Sequence, residues 1–400
     1  MITPLNQPWM HSPAVSSIFL ALDHKVRFVG GCIRDALLGH VVKDIDLACQ
    51  YTPDIVTKKL TEQGIKVVPT GIDFGTVTAV INSVAYEITS LRQDIATDGR
   101  HATVSYTEDF ALDAMRRDFT INALSCDQDG TIYDYTKGLE DIKGPVIRFV
   151  GDAGLRCQED ALRILRYYRF LARFPASPNQ EAQQACTKHA ALINHLSGER
   201  IGAEMLKCIT MDNPTLSLKA MTDTGCTPYV FGNTPMTFDN FKRYLEIEHK
   251  HQLPIMPIVR LIALTHDHNN LSHIKERWKL CKKHIKSLQI LMKNPCTPDL
   301  LLQEHKTRIL ELDKHRYLEA ILGCIAITND EGLANIYQKL KHWEIPTFPI
   351  NGQDLIEHCG YTPGKALGNA LKAAKKWWIE SGYQGSKNDV LTYVKKNIIS

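Results

Sequence analysis

Between residues 26 and 150, short apolar and β-branched runs alternate with turn residues: VRFVGG, IKVVPT, TVTAVI, AYEITSL, TIYDYT and VIRFV. Runs of that length predict strands, and the few helical stretches between them predict a mixed α/β unit. From about residue 151 the period changes. EDALRILRYYRFLARF, ERIGAEMLKCITM, FDNFKRYLEIEHKHQ, HIKERWKLCKKHIKSLQILMK and RYLEAILGCIAITNDEGLANIYQKLKHW place apolar residues three and four apart, separated by Pro, Gly and Asn breaks. That spacing predicts helices through the remainder of the chain. HWEIPTFPINGQ, proline-rich and glycine-bearing just ahead of another helical segment, marks the last boundary. The expected fold class is α+β, a small mixed β-sheet followed by all-helical segments, with no tandem repeat and no low-complexity tract.

Composition sets the class without naming a function. The 400 residues are 44% hydrophobic and 23% charged, enough for a sizeable core. No apolar run approaches the roughly 20 residues of a membrane span, and the opening MITPLNQPWMHSPAVSSIF lacks the basic start of a secretory signal and the arginines of a transit peptide. A cytoplasmic location and no membrane partner are expected. Eleven cysteines without a CxxC or a Cys/His cluster at zinc spacing read as buried thiols, so neither disulfides nor structural zinc is expected. The net charge of +3 identifies no partner, although residues 271–320 carry about 11 Lys and Arg against about 6 Asp and Glu. Solvated helix faces account for that excess as well as nucleic acid does.

The densest chemistry lies in VGGCIRDALLGHVVKDIDLA, residues 29–48. If KDIDLA is a strand, Asp44 and Asp46 project from one side while Ile45 and Leu47 enter the core. Two carboxylates so close call for a cation, and hard oxygen ligands with few protein contacts suit Mg²⁺ carrying phosphate oxygens. VRFVGG reads as a strand entering a glycine turn and CIRDALLG as a helix start. Gly30 and Gly31 allow close backbone approach, Arg34 offers a fork for phosphate oxygens, and Asp35 is read as a cap or orienting group. Two-metal phosphoryl transfer wants a third carboxylate, for which Glu87 in AYEITSL is the candidate.

These motifs, with PTGIDFGTVTAVI, YEITSLRQD, DGRHATVSYTEDF, RRDFTINAL, EDALRILRYYRF and SGERIGAEMLK, resemble the ordered motif set of the class II tRNA nucleotidyltransferases and bacterial poly(A) polymerases. The resemblance covers about residues 26–207. It implies a nucleotidyltransferase catalytic head at 1–150, a helical neck with base recognition at 151–215, a helical body at 216–342 and a helical, tRNA-binding tail at 343–400. Asp44 and Asp46 would hold the catalytic Mg²⁺, and Glu87 matches the third acidic position. Gly31 and Arg34 match nucleotide-contacting positions. Arg116, Arg117 and Asp118 with Asn122 match the ribose-recognising motif, and those groups suit a 2′-hydroxyl and a phosphate.

On EDALRILRYYRF the resemblance implies a protein template: Asp160 and Arg163 meet the Watson–Crick-like edge of the incoming base, and Arg166 and Arg169 face the triphosphate. A carboxylate accepts from the exocyclic amino group shared by cytosine and adenine, while a guanidinium donates to a ring nitrogen or carbonyl. Asp160, Arg163 and Arg166 are expected along one helix face. The stretch 92–113, with Asp98-Gly99-Arg100, is expected to include a mobile loop, which in the family helps the switch from C to A addition. Ser197 is expected to cap the next helix. PGKALGNALKAAKKWW resembles the family's tail segment, and THDH at 265–268 is not expected to form a metal site. The implied activity is template-independent addition of CCA to the tRNA 3′ end from CTP and ATP, with no DNA partner. The alternatives are a poly(A) polymerase, against which the absence of a GRRF-like sequence near VPTGIDFGTVTAVI speaks, a partial CC- or A-adding enzyme, and a catalytically idle RNA-binding protein.

Overall fold

The alternating segments near the start of the chain build one seven-stranded sheet: β1 (Val26–Val29), β2 (Asp46–Cys49), β3 (Lys66–Gly71), β4 (Thr76–Ile81), β5 (Val84–Ser90), β8 (Ser125–Cys126) and β9 (Ile132–Tyr133). Its order is β3-β4-β5-β2-β1-β8-β9, antiparallel throughout except for the parallel β2–β5 pair. The computed structural model describes residues 4–72, 75–97, 102–174, 176–266, 271–293 and 302–398. They divide into two compact units, Met1–Pro235 with Ser272–Leu280 and Met236–Leu271 with Cys281–Ser400.

Period-two alternation gives the sheet an apolar and a polar face. Phe28, Leu47, Val77, Ala79 and Ile88 form a core with Val15, Ile18 and Phe19 of the Pro13–Ala21 helix and Val56 and Leu60 of the Pro53–Glu62 helix. At about 25 cal/mol per Å² of apolar surface, each such fully buried side chain supplies on the order of 2 kcal/mol, which makes a one-residue register slip prohibitive. That register leaves Asp46 and Glu87 on the other face.

Several segments depart from the sequence reading. Asp44 precedes β2 instead of lying within it, although Ile45 still packs on the core and Leu47 is buried as expected. VIRFV makes no strand, because Ile147, Phe149 and Val150 turn inward; the Phe149 ring lies 4.9 Å from Phe119 and 5.8 Å from Tyr167. TIYDYT is a strand only at Ile132–Tyr133, since the Asp134 carboxylate then collects the amides of Thr136, Gly138 and Leu139. The stretch expected to include a mobile loop also carries a second sheet, β6 (Arg92–Thr97) paired antiparallel with β7 (Ala102–Tyr106), then the Phe110–Met115 helix. Asp98-Gly99-Arg100 lies outside the described residues.

EDALRILRYYRF is not one continuous helix. The Ala153–Glu159 helix ends at Asp160, whose φ of −151° and ψ of 106° are extended, and a new helix runs Leu162–Arg173. The Asp160 Oδ1 accepts from the Leu162 N–H at 3.0 Å, so this residue opens the second helix instead of sitting on its face. Ser197 caps the Gly198–Ile209 helix as expected. Its glycines permit close packing: a Cβ at Gly202 would stand 2.5 Å from the Trp278 carbonyl oxygen, and one at Gly198 2.3 Å from that of Arg277. The segment containing Trp278 lies between helices Leu271–Arg277 and Lys282–Lys293, with the Trp278 Nε1–H donating to the Val230 carbonyl at 2.8 Å.

The second unit is helical. In it RYLEAILGCIAITNDEGLANIYQKLKHW forms two helices, Lys314–Thr328 and Glu331–His342, parted by Asn329 at φ +55° and capped by Asp330. After the proline-bearing connection, Ile350, Leu355, Trp378, Val390 and Val394 make a separate small core. The helices around that core open on capping boxes at Asn351 and Ser386. His266 ends the Pro257–Thr265 helix, and Asp267 and His268 of THDH lie outside the described residues.

Candidate active site

The parallel pairing of β2 with β5 sets Asp46 directly beside Glu87. Paired register positions project from the same face, so a residue 41 places downstream joins the aspartate motif through the sheet and not through local sequence. Asp46 is half-buried, while Asp44 and Glu87 are exposed. Burial raises the Asp46 carboxyl above its ordinary value; the Glu87 and Asp44 charges push the same way, and Arg117 and Arg34 oppose them. A cation would relieve that accumulation of negative charge. Among the described residues no three His, Cys, Asp or Glu side chains form a metal cage by themselves. Two hard carboxylates on an accessible edge nevertheless fit an ion of the Mg²⁺ type, which takes few protein ligands and completes its shell with water and phosphate oxygens.

β1 runs into Gly30, at φ +70° and ψ −117°, before the seven-residue Gly31–Leu37 helix. A Cβ there would lie 3.3 Å from Arg117 Nη1 and 3.4 Å from the Asn122 carbonyl oxygen, so both space and backbone select glycine. Arg34 is 4% exposed, with its guanidinium 5.2 and 5.3 Å from the centroids of the Phe170 and Phe174 rings. Its Nε and Nη2 donate to Asp35 Oδ1 at 3.0 and 2.8 Å, and its Nη1 donates to Asn122 Oδ1. The Asn122 Nδ2 then donates to Asp118 Oδ1 at 3.1 Å, and Arg166 grips Asp118 Oδ2 with Nε at 2.7 Å and Nη2 at 2.5 Å. Burial would raise the Asp118 carboxyl, but Arg166 and the Asn122 hydrogen bond outweigh it and hold the group below its usual value. Arg34, Asn122, Asp118 and Arg166 are thus one chain of hydrogen bonds in which each amide and guanidinium has a fixed orientation.

Arg116 and Arg117 share one buried carboxylate. Asp113 Oδ1 takes Arg116 Nη2 at 2.6 Å and Oδ2 takes Arg117 Nη2 at 3.0 Å, which fans two guanidiniums from a single point. Arg163 donates from Nη2 to the Arg116 carbonyl at 2.9 Å and from Nη1 to Glu159 Oε2 at 2.5 Å. The Asp160 Oδ2 pairs with Arg200 Nη2 at 2.7 Å. Arg169 pairs with Glu204 at 2.7 Å, both nearly buried, and Arg173 with Asp35 at 2.8 Å. Four arginines of the Leu162–Arg173 helix therefore share one polar side, while Ile164, Leu165, Tyr167, Tyr168 and Leu171 fill the other.

The structure links Arg34, Asn122, Asp118 and Arg166 by hydrogen bonds, sets the Asp46–Glu87 pair near Arg117, which closes over Gly30, and holds Asp160, Arg163 and Arg169 by separate partners, Arg200, Glu159 and Glu204. Sequence reasoning missed the anchors: Asp113, Glu159 and Glu204 went unremarked. For Asp113 and Glu159 a local signal existed, since each stands three or four residues before the arginine it holds. Asp35, read as an orienting group, ties Arg34 to Arg173.

Comparison with known proteins places this geometry. Residues 26–148 match the Poly A polymerase head domain family, and residues 177–238 match the family described as probable RNA and SrmB- binding site of polymerase A. The human mitochondrial CCA tRNA nucleotidyltransferase 1 is 32% identical across 96% of this chain and 89% of its own length. The CCA-adding enzyme of Ligilactobacillus salivarius is 29% identical across 92% of each. The crystal structure of the Bacillus stearothermophilus CCA-adding enzyme in complex with CTP superposes with a TM-score of 0.71 at 26% identity, covering 96% of this chain and 97% of that one. That of the Thermotoga maritima CCA-adding enzyme complexed with tRNA_CCA shares the fold at 21% identity and a TM-score of 0.66, covering 98% and 96%. By this similarity along nearly its whole length, the chain belongs to the CCA tRNA nucleotidyltransferase family.

Proposed function

We propose that this chain adds C, C and A to the 3′ end of tRNA, consuming CTP and ATP and releasing pyrophosphate. The observation that carries the chemistry is the Asp46–Glu87 register with Asp44 adjoining, beside Arg117 and the glycine turn. A divalent cation, proposed as Mg²⁺ held by Asp44 and Asp46, would supply Lewis-acid neutralisation of phosphate charge. Glu87 adds negative charge beside that pair and helps keep the primer's 3′-hydroxyl oriented for in-line attack on the α-phosphate. Gly30 and Gly31 leave room for the triphosphate. Asp118 and Asn122 are assigned to the ribose, and Arg34 holds Asn122 in the orientation that this requires. Arg117, Arg166 and Arg169 add positive potential where pyrophosphate charge develops.

The base is assigned to Asp160 and Arg163. A carboxylate acceptor beside a guanidinium donor matches the amino group and ring nitrogen of cytosine and adenine and mismatches uracil and guanine. The domain division read from the sequence is kept as part of this proposal, with the head at 1–150 and the tail at 343–400 binding tRNA. No described helix is long and apolar enough to cross a membrane. The cytoplasm is the proposed compartment, because the described cysteines are free thiols and eight of them are buried.

The test is to incubate the purified protein with tRNA ending at the discriminator base, offering CTP and ATP separately and together, and to size the products. Three added nucleotides with both substrates is the expected result. Long A tails would make the chain a poly(A) polymerase, and a stop after CC would make it a partial enzyme.

A further inference from the structure

The second unit holds a cavity of about 690 Å³ that the proposed reaction does not use. Lys283 and Lys286 reach it from the Lys282–Lys293 helix, and Arg316 and Glu319 from the first turns of the Lys314–Thr328 helix. Among the described residues Lys283, Lys286 and Arg316 have no carboxylate partner. Asp313, which also lines the cavity, is already engaged as a helix cap by the amides of His315 and Arg316 at 3.0 and 3.3 Å. Three solvated cations alone would be an ordinary basic surface.

Glu319 makes the difference. It lines the same cavity at 4% exposure, and its Oε1 has no hydrogen-bond partner. A buried carboxylate oxygen without a donor is unfavourable, so a bound group bringing an N–H would improve the site. A fully ionised inorganic anion such as sulfate brings no such donor, and an amine brings nothing for the lysines. Met256 and Ile290 add an apolar wall. The volume lies within the range of about 300–1,000 Å³ that small-molecule sites occupy.

We propose that this cavity is a second nucleotide site, in which Lys283, Lys286 and Arg316 receive phosphate and Glu319 accepts from the exocyclic amino group of the base. One ligand chemistry has two sources here, a free nucleotide or an unstacked nucleotide of RNA. The reading rests on the proposed function only through its folding control, the label near Asp160 and Arg163, and its own readout is a labelled peptide and not turnover.

The experiment is photolabelling of the full chain with 8-azido-AMP, followed by peptide mapping. Label is expected on peptides from 282–293 or 314–328, displaced by AMP and CMP and about tenfold less well by UMP, which has no exocyclic amino group. The doubly substituted Lys283→Glu, Lys286→Glu protein should lose this label at least about fivefold and keep the label near Asp160 and Arg163, which shows that the chain is folded. Glu319→Gln, whose amide can either accept or donate, should bring UMP level with AMP. Absence of label from both helices, label indifferent to the two lysine substitutions, or UMP competing as well as AMP against the unsubstituted chain would overturn the proposal. Excess tRNA that removes the label identifies the RNA nucleotide as occupant, and label that persists identifies the free nucleotide.

Discussion

The Asp118–Arg166 pair yields the sharpest quantitative prediction, because it is nearly buried on one side and its neighbours are all accounted for. In Arg166→Met the hydrophobic stem is replaced and the guanidinium is lost, leaving Asp118 at 10% side-chain exposure without its charge partner. Removing one member of a buried pair costs about 3–5 kcal/mol. Two features lower that figure. The Arg166 side chain is 31% exposed, so water enters where it stood, and Asp118 keeps hydrogen bonds from Asn122 Nδ2 at 3.1 Å and the Phe119 amide at 2.8 Å. A loss of about 2–3 kcal/mol at pH 7 is therefore expected. Adding Asp118→Asn removes the stranded charge, and the double variant should be about 1–2 kcal/mol more stable than the sum of the two singles.

The same pair sets a pH dependence with a definite sign. In the wild-type protein the Asp118 carboxyl is held below its ordinary value of 3.8, so its stabilisation is complete above 3.8 and disappears as the pH falls through the lower folded value. Without Arg166, burial is no longer outweighed and the folded carboxyl rises. The variant then gains from protonation as the pH falls toward 3.8, and the wild type loses stability below that value. The stability gap must narrow on acidification toward and below 3.8. Pulse proteolysis in urea, scored on fragments from residues 4–235 between pH 7 and the lowest pH at which the wild type stays folded, measures both quantities. A cost under about 0.5 kcal/mol, or a gap that stays constant over that range, refutes the reasoning.

Three further outcomes follow from the site and the packing around it. Asp46→Asn should lower the rate of nucleotide addition by at least about a thousandfold while changing CTP binding, read by equilibrium dialysis, less than about tenfold, because the carboxylate is assigned to the reacting phosphate and not to the base. Arg163→Ala should raise the use of UTP relative to CTP by about 10–100-fold in single-turnover assays, the value of one good base-edge recognition pair. Gly202→Ala gains up to about 1 kcal/mol of helix propensity, but the new Cβ would stand 2.5 Å from the Trp278 carbonyl oxygen, so a net loss of about 1–3 kcal/mol is expected in denaturant titration; Gly368→Ala, with open space around it, should be neutral or stabilising.

The strands around the carboxylates were legible because β1, β3, β4 and β5 are short apolar and β-branched runs bounded by turn residues, and in β5 one-sided burial also shows as alternation. The break at Asp160 was not legible from periodicity. Ala161, Leu162 and Arg163 are good helix formers, so the pattern runs on, and only the capping type of Asp160 hints that one helix stops and another starts there. Similarly, the β6–β7 hairpin sits in a stretch whose small polar residues read as loop. The partners of the arginines were beyond local reading for a physical reason. Arg166 meets Asp118 across 48 residues and Arg200 meets Asp160 across 40, and nothing at either end records the distance folded away between them.

With the base assigned to Asp160 and Arg163 as proposed, those partners give a way in which a protein surface would choose between bases. Asp160 presents one oxygen to the Leu162 amide and the other to Arg200, and Arg163 is held by Glu159 and the Arg116 carbonyl. A base edge can engage them only by taking the place of protein donors and acceptors, so a correct base exchanges one set of hydrogen bonds for another at little net gain. An incorrect base removes the old partners without supplying new ones, and each stranded group then costs about 1–3 kcal/mol, or about 10–100-fold in occupancy. On this view discrimination resides in the penalty for mispairing and requires the pair to be unable to drift toward a poor partner. The fully buried Tyr167 and Tyr168 rings, which lock the Leu162–Arg173 helix from behind, and the glycine-to-backbone contact that seats the helix bearing Arg200 against Trp278, supply that rigidity.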